Sequence, residues 1–328
     1  MSCRIGMAVT DIGISRQDLI GVSRTDAAAK TARQPRRISM NFVNTDMTVK
    51  RLTGAIGAEL SGIELTGPDY DNIFPAVHEA FLEHAVVVLR GQDLDPAQLV
   101  AFSKKFGKLE SHVLSQFNNK DHPEVLYISN VKDKGKPIGA INAGQYWHSD
   151  LSYMNKPTQA SLLHSKEIPS YGGDTMFVNM RKAYEDLSNA MKAFLDPLTA
   201  VHDYTNAYDT FFKDIPDRPP LTDEEKAKVP PVVHPVIRTH PETGAKALYV
   251  NPGFTRRINE LSSEESRAIL DYLFRHFQQP KYIYRHTWAE GDLVIWDNRC
   301  TCHFAVADYD MNENRHMIRC SVEGDVPR

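Results

Sequence analysis

The sequence of 328 residues contains little cysteine and no long hydrophobic run. Its four cysteines are too few for a disulfide framework in a chain of this length, and no apolar signal segment precedes them, so we expect a reducing, cytoplasmic setting. Hydrophobic residues make up 41% of the chain. None of their runs approaches the ~18 residues that a membrane span requires, so we expect a globular protein without a membrane-spanning segment.

An excess of positive charge is also missing. The 38 lysines and arginines stand against 42 aspartates and glutamates, which gives a formal charge of -4 and a pI near 6.4. This balance provides no basic field for a nucleic-acid backbone, so nucleic acid is not an expected partner. The sequence has no P-loop, GxGxxG turn, GxSxG elbow or HExxH helix, which removes the usual signatures of several enzyme classes.

The first 39 residues differ from the rest of the chain. They carry seven lysines and arginines against three aspartates, a net charge of +4, whereas the remaining residues have a net charge of -8. They also contain few large apolar side chains, which is typical of segments that do not fold by themselves. We therefore expect residues 1–39 to form a basic, flexible arm and residues 47–328 to form a single domain.

Short strands dominate the elements that the sequence predicts. Strands are expected at "MTVKRLTGAIGAELSGIEL", "AVVVLRG", "VLYIS", "ASLLHSKEI", "DTMFVNM", "VVHPVIRTH", "KALYVN", "KYIYRHTW", "DLVIWDN" and "RHMIRCSV", and helices at 70–85, 95–107, 181–195 and 262–277. Because strands and helices do not alternate regularly, we predict a mainly β fold with helical insertions, of the barrel or jelly-roll type. The segment near 205–230, rich in proline and charge, is interpreted as a mobile lid.

The stretch "YWHSDLSY" (146–153) places His148 and Asp150 two residues apart. On an extended chain both side chains point to one face, about 7 Å apart along the strand at ~3.3 Å per residue, and a metal ion can bridge them. The pair alone is also typical of a solvated strand end, so a metal site requires a third ligand. The candidates are His202, His234, His240, His286, His303 and His316.

His303 is the favoured third ligand because it follows "DLVIWDNRCTC", an apolar strand that runs into a polar turn. Further on, "RHMIR" places Arg315 and Arg319 on one face of a predicted strand. Buried arginines require an anionic ligand or carboxylates of the protein itself, and both interpretations stay open. In a competing interpretation Cys300, Cys302 and His303 bind zinc, although a strand would direct His303 away from the cysteines, which are then small apolar packing residues.

Five motifs occur in order: "WHSD" (147–150), "GGDTMFVNM" (172–180), "HPVIRTHPETGAKALYVNPGFTRRI" (234–258), "WDNRCTCHFAVADY" (296–309) and "RHMIR" (315–319). Together they resemble the taurine dioxygenase (TauD/TfdA) family of Fe(II)- and 2-oxoglutarate-dependent dioxygenases, from about Met47 to the C-terminus.

The resemblance implies a double-stranded β-helix core of the jelly-roll, cupin-like type. It also implies that His148, Asp150 and His303 hold iron, with O2 and 2-oxoglutarate as co-substrates. In the family, the positions that match Thr175 and Arg315 bind the far carboxylate of 2-oxoglutarate. The position that matches Arg319 lies close to the bound co-substrate or holds an anionic group of the substrate.

The same resemblance implies a small anionic substrate and its hydroxylation with release of succinate and CO2. Where the oxidised carbon bears a heteroatom, a C–S or C–O bond then breaks. His112 and Phe254 match substrate-binding positions of the family. Ser115 and Gly144 replace a tyrosine and an asparagine of the taurine enzymes, so we expect a substrate other than taurine, such as a larger sulfonate, sulfate ester or oxyacid.

Two alternatives to this oxygenase function remain. One is a catalytically silent barrel that binds a small anion through Arg315 and Arg319, and the other is a zinc hydrolase or isomerase on a cupin-like fold. The family resemblance implies a homo-oligomer, a dimer or a tetramer, but the sequence itself shows no heptad seam or other interface pattern.

Overall fold

The computed structural model describes residues 47–67, 70–110, 115–141, 144–212 and 221–328. The basic arm expected over 1–39 lies outside the described residues. The single domain over 47–328 also stays a prediction. Within the described part of the chain, helices and strands are mixed and the strands belong to several sheets.

Most of the strands fall within the predicted strand segments. In chain order they are β1 Thr48–Arg51, β2 Ala58–Ser61, β3 Val86–Leu89, β4 Leu126–Ser129, β5 Lys132–Asp133, β6 Lys136–Pro137, β7 Thr158–Glu167, β8 Thr175–Asn179, β9 Thr199–His202, β10 Val232–Pro235, β11 Ile237–Thr239, β12 Lys246–Leu248, β13 Thr255–Ile258, β14 Ile283–His286, β15 Leu293–Asp297, β16 Thr301–Ala305 and β17 His316–Glu323.

The helices are mostly short. They are α1 Tyr70–His84, α2 Pro96–Ser103, α3 Met180–Glu185, α4 Asn189–Leu195, α5 Thr205–Ala207, α6 Asp223–Lys228 and α7 Ser263–Phe277, with 3-10 turns at Ser115–Phe117 and Pro280–Tyr282 and a π-helical turn at Tyr208–Phe212. Across the described ranges, no helix has both the length and the apolar character needed to cross a membrane.

The largest sheet has the strand order β1-β2-β3-β15-β7-β17-β4, and its pairs are antiparallel except for β2 with β3. Its central strands β3 and β15 are buried along their whole length. Because successive side chains of a strand point to opposite faces, Val87 and Ile295 enter one apolar cluster while Val88 and Trp296 enter another. The sheet therefore separates two hydrophobic cores, and both stabilise it.

A second, three-stranded sheet has the order β14-β8-β16. Strand β8 begins at Thr175, and β16 contains His303, which pairs with Phe177 of β8. An isolated bridge joins His148 to His303, with both backbone N–H groups donating to the opposite carbonyl at 3.1 and 2.8 Å. This bridge brings the "WHSD" stretch to the edge of the small sheet.

Local capping chemistry sets the helix starts that the sequence predicts. Asp95 and Gln98 form a capping box at the start of α2, and Ser262 and Glu265 form another at the start of α7. Helix α2 ends at Ser103, however, and not near Gly107 as expected.

Two other predicted segments differ from the structure. The helix expected over 181–195 is two helices, because the Ser188 side chain accepts the Met191 N–H at 3.2 Å and so starts α4 as a separate helix. The expected lid region contains α6, which begins with a capping box of Thr222 and Glu225. Residues 213–220 of that region lie outside the described residues, so its closing motion stays a prediction.

Candidate active site

Three of the predicted site residues converge. His148, Asp150 and His303 each place one potential ligand atom within 4.8 Å of the other two, and all three side chains are buried. Oδ1 of Asp150 lies 3.7 Å from Nε2 of His148 and 3.9 Å from Nε2 of His303. Of the six candidate histidines, the structure thus joins His303 to the pair.

The two histidine rings are oriented by different means. Nδ1 of His148 donates to the Tyr146 carbonyl at 2.8 Å, which turns Nε2 towards the cluster. His303 Nδ1 is buried and finds no hydrogen-bond partner among the described residues. Its ring is held instead by packing, with centroids 4.8 Å from Trp296 and 6.2 Å from Phe177.

Asp150 does not continue an extended strand beyond His148. It begins a turn in which Leu151 has a φ of 51°, a backbone conformation that non-glycine residues seldom adopt. The side chain of Asn298 accepts the backbone N–H of Asp150 at 3.1 Å and fixes this turn. The aspartate therefore reaches the histidines from a turn, and not from the strand face that the sequence alone would suggest.

The electrostatics of the cluster favour a carboxylate at Asp150 and a neutral imidazole at His303. Burial raises the pKa of Asp150, but the charge of Arg319 and the two histidines outweigh it, so this pKa lies well below its usual range. Burial and the neighbouring His148 hold the pKa of His303 well below its ordinary value. A carboxylate with two neutral imidazoles is the donor set of non-haem Fe(II) oxygenases, so the residues present fit a divalent iron ion.

Arg315 is buried, and it lines one cavity together with Ala305, two residues beyond His303. Its Nε and Nη2 donate to the Gly173 carbonyl at 3.2 and 3.0 Å, and among the described residues no carboxylate lies within ion-pair distance of it. Burial lowers the pKa of the guanidinium, and the neighbouring Tyr309 and Asp174 offset this only in part. A buried cation of this kind is stabilised when an anion binds to it.

The geometry of "RHMIR" differs in part from the prediction. Strand β17 begins at His316, so Arg315 lies just outside it, and a register irregularity follows between His316 and Met317. Arg319 lies within the strand, and its Nη1 is 3.2 Å from Oδ1 of Asp150. The two arginines contact different partners, the Gly173 carbonyl for Arg315 and the Asp150 carboxylate for Arg319.

The double-glycine turn that contacts Arg315 leads into Thr175, the first residue of β8. Gly172 and Gly173 have φ of 70° and 68°, and a Cβ on Gly173 would lie 3.0 Å from Nε of Arg315. Thr175 follows two residues later and pairs with Ala305, two residues beyond His303. Its Oγ1 accepts the indole N–H of Trp288 at 3.1 Å.

The residues expected to bind substrate are only partly described. The Phe254 ring lies 6.0 Å from His148, at one side of an aromatic group, whereas His112 lies outside the described residues. Gly144 has a φ of 76°, and a Cβ there would lie 2.7 Å from Cε1 of His148. The glycine at this position is therefore required by the close approach of the histidine ring.

Sequence reasoning missed several residues that surround the cluster. Ser161 donates to Oδ2 of Asp150 at 2.6 Å, and Asn298 donates to Ser161 at 2.9 Å. Tyr146 and Tyr153 belong to an aromatic group with Phe254. A serine within the apolar strand "ASLLHSKEI" and an asparagine after "LVIWD" are polar interruptions that could have drawn attention to the first two.

The competing zinc site is not formed. The described residues do not group Cys300, Cys302 and His303; Cys300 instead lies near His240 and Asp297. The Asp297 carboxylate accepts two bonds from the Arg299 guanidinium, each 2.8 Å long, and one of 2.9 Å from His240. A cation between these groups would face the buried charge of Arg299, so the second group is a charge-paired part of the core.

His240 and His202 lie outside the cluster. The His240 side chain is buried against Asp297, and His202 is the last residue of β9.

Comparison with known proteins finds related sequences and structures. The sequence model of the family "Taurine catabolism dioxygenase TauD, TfdA family" matches residues 48–321. An alpha-ketoglutarate-dependent 2,4-dichlorophenoxyacetate dioxygenase of Burkholderia sp. (strain RASC) is 36% identical, over 74% of this chain and 82% of that protein. An alpha-ketoglutarate-dependent sulfate ester dioxygenase of Pseudomonas putida is 32% identical, over 86% and 91% respectively. The crystal structure of a taurine dioxygenase from Burkholderia xenovorans superposes with a TM-score of 0.71 at 35% identity, over 86% of this chain and 90% of that chain.

Proposed function

The chain belongs to the taurine catabolism dioxygenase TauD, TfdA family and is a 2-oxoglutarate-dependent dioxygenase; from this premise we propose which residues carry the reaction and which substrate they accept. Fe(II), 2-oxoglutarate and O2 are its cofactor and co-substrates. We propose that His148, Asp150 and His303 hold the iron. The observation that carries the proposal is the buried His-Asp-His cluster, together with a buried Arg315 that has no carboxylate within ion-pair distance among the described residues.

Arg315 and Thr175 are the proposed partners of the far carboxylate of 2-oxoglutarate. The guanidinium can offer two parallel N–H donors to a carboxylate, which is the strongest geometry for such a pair. Gly173 contributes by holding Arg315 in place through its carbonyl. The hydroxyl of Thr175 already accepts the Trp288 N–H, so its own proton is available to the co-substrate.

When bound, iron would let O2 act as the oxidant, with one oxygen atom going into succinate as 2-oxoglutarate loses CO2 and the other into the hydroxylated substrate. The protein's own residues provide the metal donors, exclude water and hold the anionic groups. The buried His303 and Asp150 present a neutral and an anionic donor, and the rings of Tyr146 and Phe254 exclude water from their side of His148. Arg319 provides a positive charge beside Asp150, where an anionic substrate or co-substrate group would be stabilised.

We propose that the substrate is a small organic anion with an apolar body: a sulfonate, a sulfate ester or an oxyacid. Two relatives are named for a sulfate ester and for an aryloxyacetate, which is in keeping with such a substrate. The anion would be held by Arg319, whose Nε is buried without a hydrogen-bond partner among the described residues. His112 remains a proposed contributor. If the oxidised carbon bears sulfur or oxygen, hydroxylation would be followed by C–S or C–O cleavage.

An aromatic group beside His148 is the reason to propose an apolar part in the substrate. Tyr146 stacks on Phe211 with centroids 4.8 Å apart, and Phe254 lies 4.7 Å from Tyr153. Rings in this arrangement bind aryl or alkyl groups by apolar burial and by edge or face contacts.

The fold and setting of the enzyme are proposed in the same way. We propose that the largest sheet and the β14-β8-β16 sheet form a double-stranded β-helix of the jelly-roll type, as expected from the family. A homo-oligomer and a cytoplasmic location remain expectations.

The test is consumption of 2-oxoglutarate and formation of succinate by the purified protein with Fe(II), ascorbate and a panel of sulfonates, sulfate esters and oxyacids. We expect turnover with at least one anionic compound and none with His148→Ala. No turnover of 2-oxoglutarate with any compound would contradict the proposal. Zn-dependent turnover without 2-oxoglutarate would favour the hydrolase alternative instead.

A further inference from the structure

A row of buried hydrogen bonds ends on the carboxylate of Asp150. Oγ of Ser161, in the middle of β7, lies 2.6 Å from Oδ2 of Asp150. Nδ2 of Asn298 lies 2.9 Å from Oγ of Ser161, and Oδ1 of Asn298 lies 3.1 Å from Nε1 of Trp296. Ser161 and Asn298 are both 0% exposed, so water cannot replace a partner that is lost from this row.

The chemistry of Trp296 fixes the direction of the row. An indole nitrogen can only donate, so the atom of Asn298 that faces it is the amide oxygen. The same oxygen accepts the backbone N–H of Asp150 at 3.1 Å. The amide nitrogen must then donate to Ser161, and the single proton of the Ser161 hydroxyl is directed to Asp150.

The two oxygens of Asp150 consequently have different surroundings. Oδ1 faces Nε2 of both histidines, at 3.7 and 3.9 Å, and accepts a bond of 3.2 Å from Nη1 of Arg319, whereas Oδ2 accepts the Ser161 hydroxyl. An unrestrained carboxylate can bind a metal ion through one oxygen or through both. The row of hydrogen bonds selects between these two modes.

We propose that Ser161, oriented by Asn298, is a positioning residue that keeps Oδ2 of Asp150 away from the metal, so that the carboxylate binds iron through Oδ1 alone. This inference rests on the proposed function, because it takes the His-Asp-His cluster as the iron site. Binding through one oxygen leaves open positions on the ion for both oxygens of 2-oxoglutarate and for O2. A carboxylate that bound through both oxygens would compete with 2-oxoglutarate for one of them.

The chain offers a matched control on the same strand. Ser165 is also buried in β7, but its Oγ donates to the Ala289 carbonyl at 2.6 Å and does not touch the cluster. Ser161→Ala and Ser165→Ala therefore remove the same group from the same strand. Asn298→Asp is the second variant, since a carboxylate of the same size cannot donate to Ser161.

The measurement uses the metal alone. Each full-length variant is titrated with Fe(II) under anaerobic conditions and with Co(II), whose visible absorption reports the number of ligands. We expect Ser161→Ala and Asn298→Asp to weaken metal affinity by about 10- to 100-fold and to change the Co(II) spectrum. Ser165→Ala should retain the affinity and spectrum of the unsubstituted protein, even where its thermal unfolding temperature falls as much as that of Ser161→Ala.

Unchanged affinity and spectrum in Ser161→Ala would overturn the proposal, and so would an equal loss in Ser165→Ala. If Ser161→Ala does not fold, Asn298→Asp tests the proposal by the same criteria, and the reverse holds if Asn298→Asp does not fold. Failure of the proposed function would be seen separately, as an unsubstituted protein that neither binds Fe(II) nor consumes 2-oxoglutarate.

Discussion

Nη1 of Arg319 lies 3.2 Å from Oδ1 of Asp150, the same carboxylate oxygen that faces Nε2 of both histidines. The arginine comes from the long strand β17 and the aspartate from a turn, so a residue of the large sheet completes the charge distribution of the cluster. Its charge helps to hold the pKa of Asp150 well below the usual range, against the opposing effect of burial.

Replacement of Arg319 should weaken the binding of anions at the site. A hydrogen bond with a charged partner contributes about 1.5–3 kcal/mol, so we expect Arg319→Gln to weaken apparent binding of the anionic substrate or of the co-substrate by about 10- to 100-fold, seen as a higher KM. Steady-state kinetics with each of the two compounds varied in turn will show which one contacts Arg319. Arg319→Lys keeps the charge and should therefore raise the KM less than Arg319→Gln does. Unchanged KM values for both compounds in Arg319→Gln would contradict the assignment.

Replacement of Arg315 should act specifically on the binding of the co-substrate. Arg315→Gln removes the buried charge proposed to meet the far carboxylate of 2-oxoglutarate, so we expect the KM for this co-substrate to rise by about 10-fold or more. Arg181→Gln is a suitable control, because Arg181 also donates to backbone carbonyls, those of Leu82 and Glu83, but has no part in the cluster. An equal rise of the KM for 2-oxoglutarate in Arg315→Gln and Arg181→Gln would argue against a role of Arg315 in binding the co-substrate.

Gly144 should tolerate no side chain. A Cβ there would lie 2.7 Å from the His148 ring, whereas Gly135 has a similar φ of 79° and no heavy atom within 4 Å of its would-be Cβ. Both Gly→Ala substitutions therefore carry a similar backbone strain, of about 1 kcal/mol or more, but only Gly144→Ala should displace His148. We expect Gly144→Ala to lose Fe(II) affinity and Gly135→Ala to retain it, as measured by anaerobic titration. Retained affinity in Gly144→Ala would mean that the histidine ring moves without consequence.

Two buried histidines should make the protein less stable at low pH. Burial lowers the pKa of His202 to about 3 and that of His234 to about 4, and the two rings lie 5.2 Å apart. The unfolded chain, with a histidine pKa of ~6.5, then binds protons more readily than the folded protein. The contribution of the two histidines to the free energy of unfolding is therefore fully present above about pH 6.5. It is lost as the pH falls towards their pKa values in the folded protein, by up to ~1.4 kcal/mol per pH unit for each histidine.

Urea unfolding at a series of pH values between 7.5 and 4.5 will measure this slope. In His202→Gln the free energy of unfolding should decrease less steeply below pH 6.5 than in the unsubstituted protein. Above pH 7 it should depend only weakly on pH in both proteins. If the free energy of unfolding of His202→Gln falls as steeply with decreasing pH as that of the unsubstituted protein, other groups cause the acid sensitivity.

The local parts of this fold were predictable because their causes lie within a few residues of each other. Ser262 and Glu265 cap α7, and Asp95 and Gln98 cap α2, through contacts that span three residues. The end of α2 at Ser103 and the break between α3 and α4 were not foreseen. Apolar spacing tolerates either a continuous or an interrupted helix over 181–195, and the Ser188 side chain decides for the interruption by capping α4.

The order of "WHSD", His303 and the two arginines of "RHMIR" was enough to predict the family, and that resemblance supplied the proposed metal ligands. The order of residues did not indicate which carboxylate oxygen of Asp150 faces the histidines, because Ser161 and Asn298 reach Asp150 across separations of 11 and 148 residues. This orientation, and the different partners of Arg315 and Arg319, follow from the tertiary structure. Residue types are a property of the chain, whereas the direction of a buried hydrogen bond depends on which donors and acceptors the folded sheets bring together.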